Sequence, residues 1–238
     1  MSHPPHALDS TRVLDGAFAY PIYPSLLTLN APYNTALSQM ERLMSSQAER
    51  LPLLPLNALL FPQGRLTLRL SAPRDLDMVG GCMKENRSFG ICLADPENEG
   101  VHKVGVEALI VDWDMSQAGH LSLTVRGGRR FHVLETEPDE LGRLNGTVAW
   151  FEATPEEMVS EAHQDILPLL AVMLKDARLA VPQPHRLDDA TWVGYRYAEA
   201  LPIPMLARQR LLELEDPDLR LAIIREYLVG HGLIEAGD

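Results

Sequence analysis

LPLLPLNALLFPQG, residues 51–64, is an apolar run interrupted by Pro52, Pro55 and Pro62. Its apolar phase shifts between Leu53 and Leu54, so a strand built from it cannot keep all its leucines on one face. Proline has no N–H to give a central strand. Pro52 and Pro55 therefore belong at a sheet edge or a bulge, where the missing donor costs little and the edge is blunted against aggregation. Pro62-Gln63-Gly64 has the chemistry of a turn and delivers the chain into RLTLRL at 65–70. The stretch reads as the opening strand of a β domain, folded back onto its successor.

Working outward, alternation marks further strands. In RLTLRL the leucines 66, 68 and 70 alternate with polar residues, as do Leu121, Leu123 and Val125 in HLSLTVR at 120–126. VEALIVDW at 106–113 is apolar on both parities, the pattern of a strand covered on two faces. RRFHVLE at 129–135 and GTVAWFE at 146–152 are shorter, with Gly127-Gly128 and Asn145-Gly146 expected as the turns between strands. One helix-like insert, DLDMVGGCMK at 75–84, is weakened by Gly80-Gly81. Five or more short strands with one insert predict a small barrel or strongly curved sheet.

Past residue 153 the period becomes helical. Thr154-Pro155-Glu156-Glu157 forms a capping box that predicts a helix running toward Arg178, broken near Pro168. Further helices are expected at 189–201, starting near Asp188 and carrying Trp192, Tyr195 and Ala198, at 204–214, and at 217–229, capped by Asp216 and stopped by Gly230. Upstream, residues 1–30 lack any period and read as a loosely held arm, while Leu37, Met40, Leu43 and Met44 give 34–50 a helical spacing. The division is an extension at 1–50, a β domain at 51–153 and a helical subdomain at 154–238.

Composition narrows the function. A chain of 238 residues buries a sizeable core. Its net charge of -12 and pI near 5.1 oppose sequence-independent binding to nucleic acid or to an anionic membrane. No signal peptide opens the sequence and no apolar run is long enough to span a bilayer, so a cytoplasmic location is expected. Cys82 and Cys92 lack the spacing of a zinc site or a disulfide framework and read as reduced core thiols. No lysine follows a glycine, which excludes a P-loop, and His-Glu-x-x-His, Gly-x-Ser-x-Gly and Gly-x-Gly-x-x-Gly are missing. The expectation is a protein that is not an enzyme and holds no metal or cofactor.

Three clusters merit weighing. Asp112-Trp113-Asp114 sets two carboxylates beside an indole, but alternation puts both acids on one solvated strand face. Arg126-Gly127-Gly128-Arg129-Arg130 could cradle a phosphate, against the plainer reading of a hairpin or bulge with exposed or paired arginines. Trp192, Tyr195 and Tyr197 near Arg196 have helical spacing and fit a core better than a stacking platform.

The ordered series LPLLPLNALLFPQG, RLTLRLSAPRDLDMV, SFGICL, KVGVEALI, RGGRRFHV, with LLELEDPDLRLAIIREYL at 211–228, resembles the N-terminal substrate-binding domain of Lon proteases, including stand-alone bacterial proteins made of that domain. The chain departs from the family pattern at Ser71-Ala72-Pro73-Arg74-Asp75, and it carries no counterpart of the Lon ATPase and Ser-Lys protease segments. The resemblance implies an α+β fold, a PUA-like pseudo-barrel β domain followed by a C-terminal helical bundle, and a non-catalytic module that holds unfolded segments or a specific protein partner. Candidate groove residues are Phe61, Phe89, Trp113 and Phe131, with Arg74 and Arg130 as polar anchors. The competing reading puts the phenylalanines in the core and uses Arg74 to tie the short helix to the sheet. Because PUA-like folds also bind RNA or small molecules, these are the alternative ligands; RNA needs a basic surface and exposed aromatics, which the charge disfavours. A homo-oligomer is left open.

Overall fold

The leucines of 51–64 are divided between two cores. Leu51 and Leu53 pack with Cys92, Phe131, Val133 and Val148, whereas Leu54, Leu60 and Phe61 join a larger core that continues into the C-terminal helices. The phase shift between Leu53 and Leu54 is thus the point at which one strand serves two sides of a sheet. The computed structural model describes residues 48–98, 100–117, 119–152, 156–176, 181 and 183–235. The expected N-terminal arm and almost all of the 34–50 helix lie outside them, as do Thr154 and Pro155 of the capping box.

The strands are β1 (Glu49–Leu56), β2 (Arg65–Leu70), β3 (Phe89–Asp95), β4 (Gly100–Val101), β5 (Val104–Gln117), β6 (His120–Pro138) and β7 (Leu144–Trp150), with α1 (Pro73–Glu85) between β2 and β3. They run in the order β1-β7-β6-β5-β3-β4, and β1 also pairs with β3, so five strands close into a ring. β1 makes that closure by exchanging partners. Its first half is antiparallel to β7 from Glu49 to Leu53, and its second half is parallel to β3 from Leu53 to Leu56. Among the described residues each half therefore has a single strand neighbour, which is where Pro52 and Pro55 are tolerated.

Small residues make room inside the ring. A Cβ on Gly90 would lie 2.5 Å from the Phe131 ring and 2.6 Å from Leu53, and one on Gly105 would lie 2.5 Å from Phe131 and 2.6 Å from the Cys92 sulfur. Burial pushes the Cys92 thiol up to about 12 and raises that of Cys82, so both free cysteines are inert core groups, as expected.

Of the hairpin or bulge read at Gly127-Gly128, the structure keeps the bulge and corrects the turn. β6 runs unbroken through both glycines for 19 residues, and a bulge opposite Val106–Ala108 absorbs the irregularity. A Cβ at Gly127 would sit 2.0 Å from the Phe61 carbonyl oxygen, because the 62–64 turn is stitched to β6 by Gln63 N–H to Gly127 O and Gly127 N–H to Gly64 O, both 2.9 Å. Asn145-Gly146 is likewise within β7, opposite Pro52 and Leu51. The turn between β6 and β7 is built instead by Asp139, whose carboxylate accepts from the Leu141 and Arg143 amides.

Beyond the ring, the first half of β6 pairs with β2 from Arg65 to Leu70 and with the far half of β5, giving a three-stranded wing. The helices follow as a 3-10 turn (Glu161–Ile166), α2 (Leu167–Met173), α3 (Ala190–Ala200), α4 (Met205–Glu213) and α5 (Pro217–Gly230). Glu156 and Glu157 are not helical: Glu157 O accepts from Ala190 N–H and Met158 bridges to Asp189, so this segment is held as an extended strap and the helix starts later than the capping box predicts. The break near Pro168 is present, with Pro168 in the first turn of α2. Asp216 caps α5 as expected, whereas α3 is capped by Asp189, one residue beyond the expected start near Asp188; the residue that adopts a left-handed conformation after α5 is Gly232, not Gly230.

Candidate functional site

The far half of β5 is the place where the sheet stops covering itself. From Phe89 to Ile91, β3 pairs with Val106–Ala108 and goes no further, so beyond Ile110 β5 has β6 on one side and, among the described residues, no strand on the other. Five consecutive residues there are exposed, Val111 to Met115, including Val111 at 43%, Trp113 at 55% and Met115 at 59%. Apolar side chains of that size do not stay in water for packing reasons. The expectation of a strand covered on both faces holds only as far as Ile110.

The geometry is that of an open edge. Trp113 N–H donates to the Asp112 carboxylate at 2.9 Å, so a side chain occupies this amide. Trp113 lies opposite Leu123 of β6, while Asp112 and Asp114 lie opposite Thr124 and Ser122 on the other face. Neither acid forms an ion pair among the described residues. Their solvated placement agrees with the plain reading of the Asp-Trp-Asp cluster.

The six candidate residues do not converge. Phe61, Phe89 and Phe131 are buried: Phe61 packs against Tyr195 at 5.8 Å, Phe89 lies in the larger core, and Phe131 meets Trp150 edge-on at 5.7 Å inside the ring. Arg130 is buried as well. Its Nη1 donates to the carbonyls of Leu212 and Leu214 at 2.7 and 2.9 Å, and its guanidinium lies 4.3 Å over the Phe151 ring. These four correct the groove assignment, because a closed core offers no face to a partner. Arg74 is open to solvent beside Asp75 at 3.4 Å, and Trp113 is open on the β5 edge. Sequence reasoning missed Val111 and Met115; the alternation Asp112-Trp113-Asp114-Met115 was the available signal.

Two other surfaces are weaker. A polar cleft of about 770 Å³ is lined by Arg50, Lys103, Glu135, Glu137 and Asn145, but Arg50 is already neutralised by Glu137 at 2.6 Å. On the outer face of the wing Arg65, Arg69 and Arg126 are exposed around Thr67, Ser122 and Thr124, a face with phosphate-binding charge and no aromatic ring for a base to stack on. Arg129 is engaged by Glu107 at 3.9 Å and stacks on Trp150 at 4.2 Å. Trp192, Tyr195, Tyr197 and Arg196 are core.

The model of the family described as the ATP-dependent protease La (LON) substrate-binding domain matches residues 50–230. The chain belongs to that family. Among solved structures it is similar to a Lon N-terminal domain protein from Xanthomonas campestris, at 34% identity and a TM-score of 0.66, covering 75% of this chain and 98% of that one. It also shares the fold of the N-terminal domain of Mycobacterium avium complex Lon protease, at 20% identity and a TM-score of 0.57, over 77% of this chain and all of that one. A Lon protease of Cytophaga hutchinsonii is 22% identical over 184 residues, 70% of this chain but 22% of that enzyme, so the chain spans under a quarter of the length of this curated relative. The α+β architecture, a ring-like sheet with C-terminal helices, is that of Lon N-terminal domains. No described helix is long and apolar enough to cross a membrane.

Proposed function

We propose that this Lon-type substrate-binding domain is a non-catalytic module that docks unfolded or extended segments of other proteins on the exposed edge of β5. The observation that carries the reading is the run Val111, Trp113 and Met115, large apolar groups left in solvent on the half of β5 that, among the described residues, lacks a second strand neighbour. Such an edge binds protein by strand addition, with backbone hydrogen bonds supplying affinity and side chains on alternate positions supplying selectivity. Arg74, exposed at the start of α1, is a polar contact at the rim.

The test uses the full chain and a permanently unfolded protein, reduced and carboxymethylated α-lactalbumin, with binding followed by light-scattering interferometry. Replacing Trp113 and Met115 by alanine is expected to weaken binding at least ~10-fold, the loss of about 1.4 kcal/mol, with the far-UV spectrum unchanged. Undiminished binding by the folded double variant refutes the placement. A single-stranded RNA probe in the same assay is expected to bind neither protein at physiological salt.

A further inference from the structure

The wing has a charge gradient across its outer face. The outer strand β2 carries Arg65, Thr67 and Arg69; the middle strand β6 carries Arg126, Thr124 and Ser122, with the Thr67 and Thr124 hydroxyls 3.2 Å apart; the free edge carries Asp112 and Asp114. The opposite face of the same edge carries Trp113 and, two residues on, Met115. An incoming strand would therefore meet carboxylates on one parity and apolar surface on the other.

We infer that the β5 edge selects extended segments in which Lys or Arg alternates with apolar residues. This rests on the docking reading above and adds to it the chemistry of the ligand. Opposite charges directly across a strand pair are stabilising and like charges destabilising, so the two aspartates favour a basic segment. They also oppose a second copy of this edge, which would bring Asp112 and Asp114 against their own kind. The added strand is short, because irregular register between Ile110 and Asp112 and again between Asp114 and Gln117 leaves Asp112–Asp114 as the regular stretch. The Trp113 amide, held by Asp112 at 2.9 Å, is the backbone donor that a peptide carbonyl would take over as the carboxylate turns to a cation.

The experiment is fluorescence anisotropy of the full chain with labelled octapeptides: alternating Lys-Val, alternating Glu-Val, a Lys-Lys-Val-Val repeat of the same composition, and the alternating Lys-Val peptide N-methylated at every second residue. The alternating Lys-Val peptide is expected to bind at least ~10-fold more tightly than the other three, with affinity falling as salt is raised. Asp112→Lys with Asp114→Lys is expected to reverse the preference toward Glu-Val, and Asp114→Asn alone to lower Lys-Val affinity while leaving the fold untouched. Equal binding of the Lys-Lys-Val-Val or N-methylated peptide would show attraction to an acidic chain without strand addition, and overturns the inference. If the charge-reversed variant keeps its grip on both α-lactalbumin and the Lys-Val peptide, the docking edge stands and the selectivity falls. If Trp113→Ala with Met115→Ala binds α-lactalbumin undiminished, the docking reading itself fails.

Discussion

His132 shows how far a single position can be set by its neighbours. Its ring is stacked at 4.1 Å on Phe151, its Nε2 has no hydrogen-bond partner, and Arg130 lies beside it. Burial first, and the Arg130 charge second, lower its pKa from 6.5 to about 4. An unfolded chain takes up this proton near pH 6.5 and the folded one near pH 4, so between those values the unfolded state binds more protons and stability rises with pH. The contribution is fully present above pH 6.5 and is lost as the pH falls through 4. His132→Phe keeps the ring stack and removes the titration. Urea midpoints of the variant are expected to drop less than those of the parent between pH 7 and pH 4.5, by at most about 1.4 kcal/mol per pH unit crossed; parallel profiles would contradict the assignment. Nothing in RRFHVLE reveals this behaviour, since it depends on Phe151, 19 residues away, which is brought alongside by the β6–β7 pairing. The same limit explains Arg130, which as sequence is one of three arginines and as structure the one that is buried.

Among the elements, glycines carry opposite meanings that their sequence context does not separate. Gly80 and Gly81 lie in α1 with open space where a Cβ would be, whereas Gly127 lies in β6 against the Phe61 carbonyl. Gly80→Ala should therefore stabilise by about 0.4–1 kcal/mol, through loss of freedom in the unfolded chain. Gly127→Ala should destabilise by about 1–3 kcal/mol or more, because the obstructing atom is backbone. Chemical denaturation of the two variants reads both signs, and a neutral Gly127→Ala would mean that the 62–64 turn is not held where it is described. Local patterns gave RLTLRL, α3, α4 and α5 nearly to the residue, since period and caps are local. They mistook Gly127-Gly128 and Asn145-Gly146 for turns because a glycine that admits a neighbour and a glycine that reverses the chain look alike until the neighbour is known. The fragments that carried the family resemblance, Phe89-Gly90, Val104-Gly105 and Phe131, are core residues on the strands that close the ring. They made the fold legible and, Trp113 apart, left the β5 edge unseen, since an exposed edge imposes no packing pattern.

Across the whole molecule, sheet and helices share the larger of the two cores and are tied by polar bridges to backbone. Arg130 of the ring reaches the Leu212 and Leu214 carbonyls at the end of α4; Arg220 donates to those of Leu211 and Leu214; Gln209 Nε2 donates to Val104 O at 3.1 Å; Arg196 donates to Pro62 O at 2.8 Å. Two guanidiniums thus converge on the negative end of one helix, a favourable but demanding place to bury charge. Sheet and bundle should consequently unfold together. Far-UV circular dichroism, dominated by the helices, and the fluorescence of Trp150 in a Trp113→Phe, Trp192→Phe background are expected to give superposable urea curves. Arg130→Ala leaves Leu212 O without that donor and should move both curves together by about 2–3 kcal/mol. Arg130→Lys should recover only part of this, as an ammonium cannot both bridge two carbonyls and stack on Phe151. If Arg130→Ala shifted the helical signal and left Trp150 where it was, the two parts would be separate units joined by contact. For the same reason a binding defect in an Arg130 variant reports on folding, whereas one at Trp113 or Asp114 reports on the edge.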